Sequence, residues 1–373
     1  MATGLPTKAN WAAGDVLTAS NMDDLAGTVN LLQYSGFPFM AGKNALINGG
    51  MEICQRGSLG TVSIPASTTA ANGYTLDRWD TATGANQAVT VSKVAVNDAV
   101  NLPNILWAAR YQRNSGQTGL TTLNFGQSLE SINSIPFAGK TVTLSFYARA
   151  GANYSSTGNV LNAYVISGTG SDQNRVAGAY VGDAAVATAT GNVLTTTWQR
   201  FTVSGLCPTT MGEMAVLFTW NPTGTAGALD YFDITGVMLE LGSTATNFVR
   251  AGASIGGELA LCQRYCQSLN VLNPNGINGA YLAMGGGTGS SALTEFIFQL
   301  KVTMRIIPNL LSYLAINVSN GYSGVSAATL TISNHSTSDS LALMGGVAGT
   351  LGSVYWLATS SATASNIIWS AEV

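Results

Sequence analysis

Apolar residues change their spacing three times along this chain. Near the N-terminus Met22, Leu25, Val29 and Leu32 recur at intervals of three and four, a narrow stripe on a helix of about three turns, and Ser20 with Asp23 ahead of it resembles a capping box. So short an amphipathic helix is marginal alone, so the pattern predicts support from identical copies around an axis or from another protein. Gly36, Pro38 and Gly42 then punctuate a link. From 44 to 250 the period falls to two. Val142, Leu144, Phe146 and Ala148 alternate with Thr141, Thr143, Ser145 and Tyr147, and Met214, Val216, Phe218 and Trp220 with Ala215, Leu217 and Thr219. Similar runs include Val89 with Val91, Leu161 to Val165, Gln199 to Val203 and Tyr231 to Leu241. Short strands with one buried face, separated by Gly/Asn/Thr-rich turns, predict an antiparallel sandwich or jelly roll.

A second helix is expected over about 254–269, where Ile255, Leu259, Cys262, Cys266 and Leu269 fall at 4-3-4-3 spacing, again a heptad-like seam. Strand signals return from about 278. Phe296, Phe298, Leu300, Val302 and Met304 alternate, Pro308 follows, and shorter runs occupy 327–333, 353–358 and 366–373. The glycine cluster from Gly285 to Gly289 carries no periodic signal and reads as a flexible loop tip. The chain is therefore expected to be mainly β: an attachment segment at 1–43, a sandwich at 44–250, a helical connector at 251–270 and a smaller β-sandwich at 271–373, assembled as a trimeric fibre through the two seams.

Composition sharpens this picture. Asp, Glu, Lys and Arg make up 9% of the 373 residues, against about 25% in an ordinary soluble domain, while 46% are apolar, too many for a disordered chain. The surface must be built on amides and hydroxyls. A net charge of −3 leaves no positive field for a phosphate backbone, so nucleic acid is not an expected partner. No apolar run is long enough for a membrane span and the N-terminus lacks a signal-peptide pattern, which predicts synthesis in a cytosol without membrane insertion.

Candidate chemistry is sparse. Cys-Gln-Arg occurs twice, at Cys54–Arg56 and Cys262–Arg264, once after a strand and once on a helix, which argues against a structural repeat. With Cys207 and Cys266 these four cysteines are too few and scattered for a disulfide framework, a metal would need further ligands from a chain with one histidine, and buried apolar thiols are the expected role. A nucleotide cradle needs a glycine turn between strand and helix, which no glycine cluster here provides. His335 lies in a polar stretch that reads as an exposed loop rather than a hydrolase triad. Asp77, Asp172, Asp183, Asp230, Asp233 and Glu240 offer carboxylates for glycan hydrolysis, and Asp230 with Asp233 would also suit a structural calcium, although turn formation and capping are the commoner roles of such acids. No cofactor is expected. Aromatic faces suit sugar rings. Trp79, Trp198 and Trp220 are expected in the core, which leaves Tyr281, Tyr313, Tyr322, Tyr355, Trp356 and Trp369 of the terminal domain as glycan-contact candidates.

Several segments, in order, resemble a family of bacteriophage virion proteins described as tail fibres or receptor-binding proteins: Asn44–Met51 with Gln55-Arg56-Gly57, Tyr74–Trp79, Leu144–Arg149, Thr197–Arg200, Glu240–Ser243 with Thr246-Asn247-Phe248, and Glu258–Tyr265. Cys54 and Cys266 stand where relatives often carry aromatics. Trp11–Ala19 is similar to short attachment segments of phage structural proteins. The resemblance implies a carbohydrate-binding-like jelly roll in a homotrimer, attached to a phage tail or capsid protein through the N-terminal segment, with a distal domain that meets host surface glycan. It also implies that the two Cys-Gln-Arg copies mark the start and end of one module and that Arg78 is a buried, paired arginine. The expectation is a virion tail fibre without enzymatic activity. Rival readings are a head-attached fibre or decoration protein, a surface-polysaccharide depolymerase, and a bacterial glycan-binding module.

Overall fold

The computed structural model describes residues 42–56, 60–271, 281–287, 294–314, 316–319, 324–325, 330–345, 354–359 and 365–372. Twelve strands alternate along the first half of this range: β1 (Thr61–Ile64), β2 (Ala71–Tyr74), β3 (Asp80–Thr83), β4 (Val89–Ala95), β5 (Trp107–Arg113), β6 (Leu123–Leu129), β7 (Thr141–Ala150), β8 (Val160–Gly168), β9 (Ala184–Val193), β10 (Gln199–Leu206), β11 (Glu213–Trp220) and β12 (Tyr231–Leu241). They pair antiparallel into two sheets of six, β1-β4-β5-β12-β7-β10 and β2-β3-β6-β11-β8-β9, among the described residues. The period-two pattern builds the space between them. Val142, Leu144, Phe146 and Ala148 of β7 face Met214, Val216, Phe218 and Trp220 of β11 across one core, all nearly inaccessible to water. Trp79 stacks on Phe125 at 5.0 Å between ring centroids, and Phe218 sits edge-on to Phe146 at 4.9 Å. Trp79, Trp198 and Trp220 are buried, as expected of them.

Asn44–Gly50 is stitched to this sandwich by two backbone bonds, Ala45 N–H to the Leu239 carbonyl and Val237 N–H to the Gly49 carbonyl (each 2.9 Å), and by side-chain amides. Asn44 donates from Nδ2 to the carbonyls of Val237 (3.0 Å) and Val249 (3.2 Å) and accepts from Leu46 and Leu239 N–H. Asn48, in the left-handed region at φ 58°, donates to the Ile53 and Asp77 carbonyls, and its own carbonyl receives Trp79 Nε1–H at 3.0 Å. A Cβ on Gly49 would strike the Val237 carbonyl oxygen, so only glycine permits this approach.

Besides a four-residue turn α1 (Ser131–Ser134), the described residues hold the helix α2 (Ile255–Gln263), which Ser254 caps by accepting the Gly257 N–H at 3.1 Å. The helix is shorter than its heptad pattern implies. Residues Cys266–Val271 are not its last turns but a strand, β13, paired with β22 (Ser365–Ser370), and the Ala371 N–H bonds to the Tyr265 carbonyl at 2.7 Å. Sheet pairing thus ends the helix, and the terminal β unit begins at Cys266, inside the expected connector.

The remaining strands are β14 (Tyr281–Gly287), β15 (Thr294–Gln299), β16 (Asn309–Leu314), β17 (Ile316–Ser319), β18 (Gly324–Val325), β19 (Leu330–Ile332), β20 (Ser340–Gly345) and β21 (Val354–Thr359). A three-stranded sheet, β13-β22-β16, closes over a seven-stranded one, β18-β17-β21-β14-β15-β20-β19, around Phe296, Ile316, Leu343, Leu357, Ile367 and Trp369. Two expectations are corrected here. Gly285–Gly287 are strand residues paired with Thr294–Phe296, because a Cβ at Gly285 would meet the Glu295 carbonyl and the Phe296 ring; Thr288 and Gly289 lie outside the described residues. The strand through Phe296 stops at Gln299, and Leu300 and Met304 stay buried from irregular backbone.

The two β units meet across buried charge. Arg56 and Arg78 are almost wholly enclosed, and both donate to the carboxylate of Glu372, from Arg56 Nη2 at 2.8 Å and from Arg78 Nη1. Arg78 also donates to the Ser128 carbonyl (2.7 Å) and lies 3.7 Å from the Tyr265 ring centroid. It holds φ 70°, strained for a residue with a side chain, in the turn closed by Thr75 N–H to the Trp79 carbonyl at 2.8 Å. Gln55 bridges Asp77 and the Cys266 carbonyl, each at 2.6 Å, so the neighbourhoods of the two Cys-Gln-Arg copies meet at this junction.

Removing the ring of Phe218 (Phe218→Ala) is expected to cost about 3–5 kcal/mol, as aromatic truncations in close-packed cores do, read as a lower urea midpoint at unchanged slope. Glu372→Ala leaves buried Arg78 without a carboxylate and Arg56 with only Asp77 at 3.7 Å, and is expected to cost about 3–5 kcal/mol, so an unchanged urea midpoint would show the junction to be energetically idle.

Candidate functional site

A polar groove of some 490 Å³ lies on the outer face of the second sheet, within the range of about 300–1,000 Å³ common to ligand clefts. Strand alternation makes it. The residues of β6, β11 and β8 that do not enter the core face outward, and register aligns Asn124, Thr219 and Asn162 in one row across three strands. In the next row Leu217 lies beside Tyr164, which is half-buried. Asn124, Thr219 and Tyr164 make no side-chain hydrogen bond to another described residue, while Asn162 accepts only from the Gly191 N–H at 3.2 Å. At one end Thr122 donates to Asn221 Oδ1 at 2.7 Å. At the other, Arg175 grips Asp183 with Nε at 2.5 Å and Nη2 at 3.0 Å.

The segment between β8 and β9 forms the wall. Val176 and Tyr180 pack on Ile166, Ala215 and Leu217, a small apolar cluster outside the main core. Polar anchors fix it: Thr169 N–H to the Val181 carbonyl (2.7 Å), Gln173 N–H to Glu213 Oε2 (2.9 Å) and Asn174 Nδ2 to Asp80 Oδ2 (2.7 Å). Burial pushes the Asp80 carboxyl up to about 6, against the lowering effect of its bonds from Asn174 and Thr81. The groove therefore combines an aromatic ring, free amides and hydroxyls and one ion pair on a rigid floor, the equipment for holding a sugar ring by its apolar face and its hydroxyl edge.

Of these groove residues the sequence points only to Asp183, weighed there as a hydrolytic carboxylate and found here in an ion pair with Arg175. Alternation over Leu161–Val165 and Met214–Trp220 also marks Asn162, Tyr164 and Thr219 as outward-facing; Leu123–Leu129 carries no such expectation, and only register across non-consecutive strands brings Asn124 beside them. The aromatics that were singled out have different fates. Tyr355 and Trp369 are core residues of the terminal sandwich, shielded from any sugar, because they occupy inward positions of their strands. Tyr313 is half-buried against the same core. Trp356 faces the opposite side, in a row with Met284 and Ile297, both largely exposed. Tyr281 lies in β14, its side chain outside the described residues, as is Tyr322 altogether.

The helical seams divide likewise. Met22, Leu25, Val29 and Leu32 lie outside the described residues. Ile255 and Leu259 are exposed one turn apart on α2, whereas Cys262 and Cys266 are enclosed by their own chain and do not continue that stripe. All four cysteines are free thiols; burial pushes Cys54 up to about 12 and Cys262 and Cys266 well above their usual range.

The carboxylates are ion-paired or hydrogen-bonded. Asp230 binds Arg113 (2.9 Å) and Ser155, Asp233 binds Arg110 and Arg149, and Glu240 accepts from Thr246 N–H and Oγ1–H at 2.7 Å. The expected turn-capping role thus gives way to arginine pairing at Asp233, and against the calcium reading both Asp233 oxygens meet arginines while Asp230 accepts from Arg113 at Oδ2 and from the Ser155 N–H at Oδ1. His335 is exposed, with Nδ1 2.9 Å from Glu295 Oε1.

No family model and no curated protein matches the chain. Among solved structures, a CBM4 carbohydrate-binding module is 20% identical over 36% of this chain and 71% of its own, with a TM-score of 0.25. The module Family 16 Carbohydrate Binding Module-2 is 14% identical over 40% of this chain and 84% of its own, TM-score 0.26. A Stig cyclase, Fisc, from Fischerella sp. TAU is 14% identical over 55% of this chain and 100% of its own, TM-score 0.33. The fold is mainly β and sandwich-like, and its structural neighbours include carbohydrate-binding modules and a cyclase alike; overlaps of this extent carry no argument about the ligand.

Because Asp80 in the folded chain keeps its proton to about pH 6 while the unfolded carboxyl loses it near 3.8, folding binds protons between those values and this group's contribution falls as pH rises through the window. Asp80→Asn removes that fall, so its stability relative to the parent should rise between about pH 4 and pH 7. Parallel melting curves across that range check it; a constant difference would contradict the assignment.

Proposed function

We propose that this protein is a structural, glycan-binding component of a bacteriophage virion, a tail fibre that holds host surface polysaccharide in the groove of its first β-sandwich. The observation that carries the binding half is the row Asn124-Thr219-Asn162 beside Tyr164, a set of unspent polar groups and one aromatic ring on the part of the sheet face next to the β8–β9 segment, which packs on the neighbouring Leu217. The virion half rests on the ordered motifs, several of which have structural work here: Asn44 and Asn48 stitch the entry segment, Arg78 is buried and paired, and Glu258 in α2 accepts the Asn48 N–H and the Gly252 N–H (2.6 Å). Binding without catalysis is the reading adopted, since the carboxylates weighed for hydrolysis are tied to arginines, amides or hydroxyls. Ile255 and Leu259, exposed side by side on α2, supply an apolar contact for a second copy, and a trimer would let weak sites act together.

Titration calorimetry with neutral oligosaccharides should give saturable binding, and Tyr164→Ala should weaken it about tenfold or more, equivalent to about 1.4 kcal/mol. Equal affinity in parent and variant would remove the groove from the account. For the assembly, micromolar full-length chain should sediment as a trimer and antibody against it should decorate intact particles; a monomer that labels no particle would defeat the virion reading.

A further inference from the structure

The outer face of the first sheet carries a second arrangement of different chemistry. In one row across β5, β12 and β7, Arg110 and Arg149 flank Asp233 as direct cross-strand neighbours. Arg110 binds Asp233 through Nε at 2.8 Å and Nη2 at 3.0 Å, and Arg149 through Nε at 2.9 Å. Each guanidinium also lies by an aromatic ring, Arg110 3.7 Å from the centroid of Tyr231 and Arg149 4.7 Å from that of Trp198. Asp233 is wholly buried, whereas the two arginine side chains are 26% and 24% exposed.

Two cations thus share one carboxylate, leaving a net positive charge on a face whose chain carries few charges. The shared carboxylate takes Nε and Nη2 of Arg110 but only Nε of Arg149, so both Nη groups of Arg149 keep donors unspent. Stacking and the buried anchor fix both planes, so little side-chain freedom remains to be lost on binding a further anion. Asp98, exposed and near Arg149, is the acid that opposes this field from the neighbouring loop; its oxygens already accept from Asn101 N–H (3.0 Å) and Nδ2 (2.8 Å).

We infer that this Arg110–Asp233–Arg149 ladder is a second binding site, specific for carboxylate-bearing sugars such as uronic acids. Planar guanidinium edges match a carboxylate, and Trp198 and Tyr231 set the arginine planes that present them. The chemistry complements the neutral groove on the opposite sheet, and one chain would grip an acidic polysaccharide from two faces. This inference extends the glycan-binding reading to a ligand class but uses none of the groove's residues.

The test is calorimetry of the full chain with a short oligogalacturonate and with its methyl ester. The acid should bind and the ester should bind at least about tenfold more weakly at this face, and raising salt from about 50 to about 300 mM should weaken the acid alone. Arg149→Gln should lower acid affinity about tenfold. Arg149→Lys keeps the charge beside Asp233 but loses the fork, so it should fold like the parent by urea midpoint and still bind the acid poorly. Tyr164→Ala should leave acid binding intact, and that result with no neutral binding in the parent would sink the groove while this site stood. Parent-like acid affinity in both Arg149 variants, or loss of acid binding in Tyr164→Ala, would overturn the inference.

Discussion

Two guanidinium groups sit where water scarcely reaches, and the architecture is organised around neutralising them. Arg56 and Arg78 come from the start of the first β-sandwich, and the carboxylate they share, Glu372, comes from the last described residue of the second. Arginine does not lose its proton in proteins, so burying either one without its partner would be prohibitive. Several atoms in the cluster, among them Arg56 Nε and Arg78 Nε, have no hydrogen-bond partner, so it is a costly way to join two units. What it provides is register, because only one docking of the terminal sandwich places Glu372 between both arginines. The ring of Tyr265 over Arg78, and Gln55 reaching to the Cys266 carbonyl, make the helix-to-strand transition part of the same lock.

Beyond that lock, part of each outer sheet face stays open for recognition, beside the β8–β9 segment on the second sheet and beside the Val96–Leu102–Ile105 cluster on the first. Both sites stand on the outward residues of central strands whose inward residues form the core, and this is a rigid support for polar side chains. The groove on the second sheet is short of charge and rich in amides; the ladder on the first is cationic. The difference follows from which residue types alternate with the core positions: Asn, Thr and Tyr on β6, β8 and β11, and Arg, Asp and Tyr on β5, β7 and β12. Low overall charge gives the contrast its meaning, since a single uncompensated guanidinium stands out on a surface made of hydroxyls and amides.

Period-two alternation marks β4, β7, β8, β10, β11 and β12 of the first sandwich because burial on one face leaves that imprint on sequence, while β1, β2, β3, β5, β6 and β9 carry no such expectation. β7 shows it in residue type, β11 less cleanly because Ala215 and Leu217 are apolar and buried on its outer face, and the burial of Arg78 agrees with what the resemblance implies. The pattern misled where local and non-local preferences compete. Ile255 to Leu269 has heptad spacing, yet from Cys266 onward the chain gains more from pairing with Ser365–Ser370 than from further helical turns. Gly285 to Gly287 lack periodicity and still form a strand, because a ladder needs only backbone groups and here needs the missing side chains. Tyr355 and Trp369 are glycan candidates only by their place in the terminal domain, and their inward positions become visible only with the register of β21 and β22.

By itself, then, the sequence determined that this is a mainly β protein with few charges, and where several of its core strands run. These properties depend on neighbours along the chain or on totals. The tertiary structure decided what stands beside what: Asn124 with Thr219 and Asn162, Arg110 with Asp233 and Arg149, Glu372 with Arg56 and Arg78. Each set is drawn from strands distant in sequence, and because one residue of slippage turns a strand's side chains to the opposite face, only the realised pairing could assemble them.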